Sequence, residues 1–306
     1  MQFLGAGQTK TNTFTVTSVD GTASRNIIVT INGVNDAPTV NSAIADRTTV
    51  ENSVFNFTVP ANTFADVDTS NTLTYTATLD NGNALPSWLT FNSSTRIFSG
   101  TPAAANVGTI SVRLTARDTS NATVNDIFNL TVTPLNLTGT ANADNLTGTA
   151  SNNVIDGLAG NDNLNGGAGN DTLIGGAGND ILTGGTGADQ FLYNTSAAFT
   201  TSAVGVDTIT DFNRSQGDKI VLDKTTFNAI TSNAGTGFSN ASEFAVINSD
   251  TTILLGITTA EIIYNSSNGK LFYNQNGILA GLGSGGQFAT LTGAPSLVAT
   301  DFIIQA

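Results

Sequence analysis

From Gly139 onward the chain repeats itself every nine residues, and no other feature constrains its fold as tightly. Read in register, the units are GTANADNLT, GTASNNVID, GLAGNDNLN, GGAGNDTLI, GGAGNDILT and GGTGADQFL. The sixth position is Asp144, Asn153, Asp162, Asp171, Asp180 and Asp189. The eighth is always apolar, running Leu146, Ile155, Leu164, Leu173, Leu182 and Phe191. Glycines supply the positive φ and the close backbone approach of a tight turn, and the residues that follow can form a short strand. One turn and one strand make half a coil, so two units close a full coil. Odd units then stack on odd and even on even, at the roughly 4.8 Å spacing of paired strands. Leu146, Leu164 and Leu182 line one sheet, and Ile155, Leu173 and Phe191 line the other. Three apolar side chains per face make a core too thin to hold alone.

The same stacking brings sixth-position carboxylates together. Two bare carboxylates near 5 Å repel by roughly 1–4 kcal/mol, depending on the effective dielectric. A hard divalent cation reverses that sign, and glycine-turn carbonyls complete its oxygen shell. Calcium suits the turns best because it accepts six to eight oxygens in irregular geometry, whereas magnesium demands an octahedron. Zinc wants nitrogen or sulfur ligands, and this chain has no His and no Cys. Calcium is therefore expected between Asp162 and Asp180 and between Asp171 and Asp189. Weaker positions join Asp144 to Asp162 and Asn153 to Asp171, where Asn142 and Ser151 replace the fourth-position glycine. The candidate carbonyl donors are the turn glycines Gly160, Gly167, Gly169, Gly176, Gly178, Gly185 and Gly187.

Composition removes most other chemistries. The missing His and Cys exclude Ser-His-Asp triads, HExxH zinc proteases, thiolate nucleophiles, disulfides and Fe–S clusters. Ten Lys and Arg against 23 Asp and Glu give a formal charge of −13, which opposes nucleic acid and anionic lipid. The three glutamates, Glu51, Glu243 and Glu261, are scattered. A pair of Asp carboxylates could still hydrolyse a glycosidic bond, but the reading is of a protein without catalysis. Between Arg117 and Arg214 there is no cation at all, so this acidic stretch must find its positive partners elsewhere. No apolar run is long enough to span a membrane.

GGAGNDTLI and GGAGNDILT resemble the RTX (haemolysin-type) nonapeptide GGxGxDxUx, a parallel β-roll that binds calcium. The resemblance covers residues 139–193 and implies Asp and carbonyl ligands, with folding driven by calcium after export. The strings FLYN, GVDTITDFNRSQGDKIVL, GKLFYNQNG and ATDFIIQA look like the tail that follows such repeats. In that family the tail caps the roll and carries an uncleaved type I export signal. MQFLGAGQTK agrees, because it lacks the long apolar core of a secretory signal. Asp207, Asp211 and Asp218 are open to two readings, a further calcium site in the cap or solvated turn residues.

Upstream the texture is that of a β-sandwich. SVFNFTV, NTLTYTATL, TISVRLTARD and DIFNLTV alternate polar and apolar residues and are separated by turn signals such as Asp80-Asn81-Gly82. Trp88 is expected in the core. FADVDTSNTLTYTA, LPSWLTFNSSTRIFSGTP and NVGTISVRLTARD resemble the dystroglycan-type cadherin-like module of bacterial surface proteins. Such modules hold calcium at their junctions. The positions that match their acidic set are Asn35, Asp36, Glu51, Asp66, Asp68 and Asp118. Residues 1–37 read as one hairpin, turning at Gly21, which looks like the end of another such repeat and closes in an NDAP linker. Either it belongs to a longer multi-repeat protein, or it completes a sheet on a neighbouring subunit.

The expected architecture is all-β. It comprises a partial repeat over 1–37, an Ig/cadherin-like sandwich over 38–135, a calcium β-roll over 136–193, and a β-rich cap with an export signal over 194–306. The expected function is that of a calcium-binding, secreted structural or adhesion protein of the bacterial surface or extracellular matrix, able to assemble into filaments by strand exchange. The alternative is the calcium-binding and export portion of a secreted hydrolase or carbohydrate-binding protein. Partners would be calcium ions, further copies of the chain, or cell-surface glycans and proteins, with no nucleic acid and no membrane span.

Overall fold

The computed structural model describes residues 4–68, 72–251, 258–277 and 281–306. Met1 and the start of MQFLGAGQTK lie outside the described residues, as does the TSN of FADVDTSNTLTYTA. The chain divides into two compact units, Met1–Thr133 and Pro134–Ala306.

In the first unit, period-two alternation builds a sandwich. One sheet has four strands in the order Arg47–Val50, Thr123–Thr133, Gly108–Arg117 and Thr74–Leu79. The other has three, Phe55–Thr58, Ile97–Gly100 and Leu89–Asn92. Val112, Leu114 and Ala116 point inward on one strand, and Phe128 and Leu130 on the next. Phe98 sits at the centre, 5.6 Å from Phe128 between ring centroids and 4.5 Å from Phe91. Each such buried ring or aliphatic chain contributes ~1.5–3 kcal/mol by leaving water. Trp88 is half-buried and packs against this core. The segment before the sandwich forms a separate antiparallel hairpin, Thr9–Thr17 with Ser24–Asn32, whose turn includes Gly21 at φ +71°.

In the second unit the nonapeptides form a parallel roll in the register expected. Strands Asn145–Thr147, Asn163–Ala168 and Ile181–Thr186 stack in one sheet, with Leu146 opposite Leu164 and Leu164 opposite Leu182. Strands Val154–Asp156, Thr172–Ile174 and Gln190–Tyr193 stack in the other, with Ile155 opposite Leu173 and Leu173 opposite Phe191. The tail extends both sheets. Asp207–Ile209 pairs in parallel with Ile181–Thr186, and Lys219–Asp223 with Gln190–Tyr193. Gly286–Leu291 and Phe302–Gln305 then add one more strand to each sheet. A single hydrophobic cluster runs from Ile155 through Phe191, Phe227 and Tyr273 to Ile304. The tail thus supplies the apolar mass that the thin repeat core lacks. Its aromatic rings interlock, with Phe227 at 5.1 Å from Tyr273 and 5.2 Å from Phe288.

Candidate metal centre

Each nonapeptide turn is close-packed on the turn one coil before it. A Cβ added at Gly167, Gly176, Gly178, Gly185 or Gly187 would collide with a main-chain carbonyl of the preceding coil, and all five have positive φ. Gly160 and Gly169 also have positive φ and pack on Asn142 and Ser151. Only glycine satisfies both conditions.

The sixth-position side chains form a ladder. The Asp144 N–H donates to Asp162 Oδ1 at 2.8 Å, and the Asp162 N–H donates to Asp180 Oδ1 at 2.8 Å. On the other side the Asn153 N–H donates to Asp171 Oδ1 at 2.7 Å, and the Asp171 N–H to Asp189 Oδ1 at 2.9 Å. This uses one oxygen of each carboxylate. The second oxygen, Oδ2, of Asp162, Asp171, Asp180 and Asp189 is buried and has no hydrogen-bond partner. Four orphaned carboxylate oxygens in register are not a stable apo arrangement, because each carries an uncompensated desolvation cost. Burial drives the Asp171 carboxyl up to about 6, with the charge of Asp189 adding to it. Burial likewise raises Asp162, Asp180 and Asp189.

The orphan oxygens are not isolated. A Cβ at Gly157 would collide with both Asp162 Oδ2 and the Gly175 carbonyl oxygen, and one at Gly166 with both Asp171 Oδ2 and the Gly184 carbonyl. Each bare glycine therefore leaves a space into which a carboxylate oxygen and a carbonyl oxygen of the next coil converge. Among the described residues no three acidic side chains gather tightly enough to hold a metal by themselves, so carbonyls must share the work. That donor set is hard, all-oxygen and irregular, which fits calcium.

The first two units differ. Asp144 Oδ2 accepts from the Thr140 N–H at 2.6 Å and its hydroxyl at 2.9 Å, and Thr149 N–H donates to Asn153 Oδ1 at 2.6 Å. A threonine in the second position thus satisfies the oxygen that later units leave free.

Two contributors were missed by sequence reasoning. The first-position glycines Gly157 and Gly166 form the oxygen-lined spaces, and Gly175 and Gly184 pack in the same way on Asp180 Oδ2 and Asp189 Oδ2, although every unit opening on Gly was a visible signal. The fifth-position asparagines form an outer ladder: the Asn170 N–H donates to Asn152 Oδ1 at 2.8 Å, and the Asn179 N–H to Asn161 Oδ1 at 2.9 Å. Asp207 and Asp218 are not solvated turn residues, since each is 1% exposed.

In the first unit, hydrogen bonds link five members of the junction set, Asn35, Asp36, Asp66, Asp68 and Asp118. The Asn35 side chain donates to Asp118 Oδ2 at 2.8 Å, the Asp36 N–H donates to Asp68 Oδ2 at 3.0 Å, and the Asp68 N–H donates to Asp66 Oδ1 at 2.8 Å. The Asn35 bond, ahead of the local amide bonds, holds the Asp118 carboxyl below its ordinary value. Asn35 Oδ1 and Asp68 Oδ1 are buried without partners. Glu51 is fully buried, and its N–H donates to the Thr133 carbonyl at 3.0 Å.

Residues 37–133 match the Putative Ig domain family, and residues 138–173 and 156–191 match the RTX calcium-binding nonapeptide repeat. Both are non-catalytic types, and RTX repeats are typical of secreted proteins. A comparison with curated proteins gives no significant match. Among solved structures, the chain is similar to the AlgE6R3 subunit of the Azotobacter vinelandii mannuronan C5-epimerase, at 26% identity and a TM-score of 0.34, over 54% of this chain and 80% of that one. An endo-fucoidan hydrolase of glycoside hydrolase family 107 aligns at 23% identity and a TM-score of 0.26, over 42% of this chain and 19% of that one. The human desmocollin-1 ectodomain aligns at 15% identity and a TM-score of 0.27, over 42% of this chain and 28% of that one. Among the described residues no helix is long and apolar enough to cross a membrane. The orphaned carboxylates thus lie within a calcium-binding motif, and the chain carries a segment that matches the Putative Ig domain family followed by one that matches the RTX calcium-binding nonapeptide repeat.

Proposed function

We propose that this is a secreted structural or adhesion protein of the bacterial surface or matrix, without catalysis of its own, that is folded by external calcium. The single observation that carries this is the row of four buried carboxylate oxygens without partners. Calcium would be held by Asp162 with the Gly175 carbonyl and by Asp171 with the Gly184 carbonyl, and by Asp180 and Asp189 one coil further on. Bound there, the ion supplies charge neutralisation and cross-links successive coils. At low intracellular calcium the acidic roll stays open and threadable, and outside the cell binding to the folded state alone adds stability. A second ion is proposed for Asn35, Asp36, Glu51, Asp66, Asp68 and Asp118, where it would stiffen the chain ahead of the sandwich. The working division is a partial repeat over 1–37, a sandwich over 38–135, a roll over 136–193 and a tail over 194–306 that carries a type I export signal.

The hairpin supports assembly by strand exchange. Phe14, Val16, Ile27 and Val29 share one face and are 41–54% exposed, whereas Val112, Leu114, Phe128 and Leu130, on the sandwich's own last hairpin, are at most 1% exposed. Light scattering across a wide concentration range with calcium tests this, and a chain that stays monomeric throughout rules it out.

The central experiment is a calcium titration of the full chain followed by circular dichroism and calorimetry, with magnesium as control. A cooperative gain of β signal in the roughly millimolar range of extracellular modules is expected, lost in Asp171→Ala plus Asp180→Ala. A chain that folds equally in chelator removes the proposal.

A further inference from the structure

In a chain with 23 acids and ten cations, a basic side chain readily finds a carboxylate. Arg113, Arg214 and Lys270 do so, on Asp80, Asp301 and Asp250. Arg96 does not. Among the described residues its guanidinium makes no hydrogen bond and no ion pair. Arg96 closes the turn that joins Leu89–Asn92 to Ile97–Gly100, at φ +59°, a left-handed conformation that glycine or asparagine ordinarily takes. The turn is fixed around it. The Ser94 and Thr95 N–H groups donate to Asn92 Oδ1 at 3.0 and 3.1 Å, and the Val59 N–H donates to the Arg96 carbonyl at 2.9 Å. A strained backbone that carries an unpaired charge costs stability, and an outlier of that kind points to function.

A second observation lies beside it. Arg96 lines a cleft of about 400 Å³ together with Tyr75, Ser93 and Ser94, and no acidic side chain lines it. Tyr75 stands on the strand Thr74–Leu79, with its ring 6.0 Å from that of Phe64, so the sandwich core holds it in place. Among the described residues the hydroxyls of Tyr75, Ser93 and Ser94 have no hydrogen-bond partner. The cleft thus offers a fixed positive charge, a half-buried aromatic ring and free hydroxyls, in a space within the range of small-ligand sites. Six of the ten cations lie in Met1–Thr133, against nine of the 23 acids, so an anion meets less repulsion here than along the repeats.

We propose that Tyr75, Ser93, Ser94 and Arg96 form a binding site for an acidic sugar, one that bears a carboxylate or a sulfate. The planar fork of Arg96 pairs with the anion. The Tyr75 ring takes the C–H face of the pyranose, and the free hydroxyls bond those of the sugar. A run of acidic peptide side chains would satisfy the guanidinium but leave the ring and the hydroxyls unused. The site lies in the sandwich and does not depend on the calcium reading of the roll. It gives the adhesion reading a partner, an acidic polysaccharide.

The test titrates the full chain by calorimetry, in one calcium-containing buffer, with trigalacturonate, sulfated maltotriose, maltotriose and triglutamate. Trigalacturonate or sulfated maltotriose is expected to bind, and the tighter of the two identifies the anion. Maltotriose and triglutamate are expected to bind weaker by about tenfold or more. Arg96→Gly is expected to weaken the acidic sugar by about tenfold or more while raising the melting temperature of the sandwich, because glycine relieves the left-handed backbone. Lost binding is then not lost folding. Arg96→Gln keeps the backbone strain and is expected to lose the same affinity at an unchanged melting temperature. The site is overturned if neither acidic sugar binds, if maltotriose or triglutamate binds as tightly, or if both Arg96 variants keep full affinity. Such a failure is separate from the calcium reading, since circular dichroism of the same preparation follows the response of the roll to calcium.

Discussion

At the scale of single residues, the roll is governed by where a side chain can and cannot be. Leu158 occupies a second position that Gly167, Gly176 and Gly185 fill in later units, and it adopts φ +68°. It is 46% exposed, so it gains little burial in return. Leu158→Gly is therefore expected to raise the melting temperature of the calcium-loaded chain, by an amount equivalent to about 0.5–1 kcal/mol. A drop on thermal denaturation would show that the leucine packs better than its exposure suggests. The carboxylates give a pH signature of unusual sign. Asp171 is raised to about 6 and Asp207 to about 8, both chiefly by burial. The folded apo chain then holds protons that the unfolded chain releases near the ordinary value of 3.8. Without calcium, this contribution is fully present below that value and is lost as pH rises to about 6 for Asp171 and about 8 for Asp207. Urea unfolding in chelator at stepped pH should show stability falling across this window, and calcium affinity should climb over the same range because protons compete for the same oxygens. A chelated chain that grows more stable over that window would contradict the buried carboxylates.

At the scale of elements, a turn and its strand serve separate purposes. The eighth-position side chain fixes the sheet, and for that reason the two stacks were legible from the sequence: Leu164 and Leu173 can reach a core only if alternate units share a sheet. The tail strands were harder to place. Asp207 follows Asp180 by 27 residues, in a coil lengthened by a helix, so counting in nines keeps it at a sixth position but assigns its strand to the opposite sheet from the one the hydrogen bonds show. The first-position glycines were also passed over, because their function depends on a carbonyl from another coil that no single unit displays. Gly166→Ala is the corresponding test. Its φ is unremarkable, so the added methyl acts only through its collision with Asp171 Oδ2 and the Gly184 carbonyl. A cost of about 1–3 kcal/mol and the loss of one calcium in calorimetry are expected. Retention of the full count would separate the glycine from the ion.

At the scale of the whole molecule, the two units reach stability by different routes. The sandwich closes an aromatic core of its own around Phe98, whereas the repeats share one core with the tail. The division into β-sandwich and β-roll was readable from alternation on one side and period on the other. That the tail extends both sheets was not, because its strands are parallel partners distant in sequence, such as Asp207–Ile209 with Gly286–Leu291. Removing residues 194–306 should abolish the calcium-induced β signal of the roll while the thermal transition of the sandwich persists, and circular dichroism follows both. A roll that still folds with calcium would mean that the repeat core suffices. The two-sheet stacking has one further consequence, for inheritance. Units alternate between sheets, so a gene that gains or loses a single nonapeptide moves Leu137–Thr138 from one sheet to the other, whereas a change of two units leaves every strand on its own side. Length variants of this roll should therefore differ by even numbers of units, a parity rule that sequencing of natural isolates can check without purifying any protein.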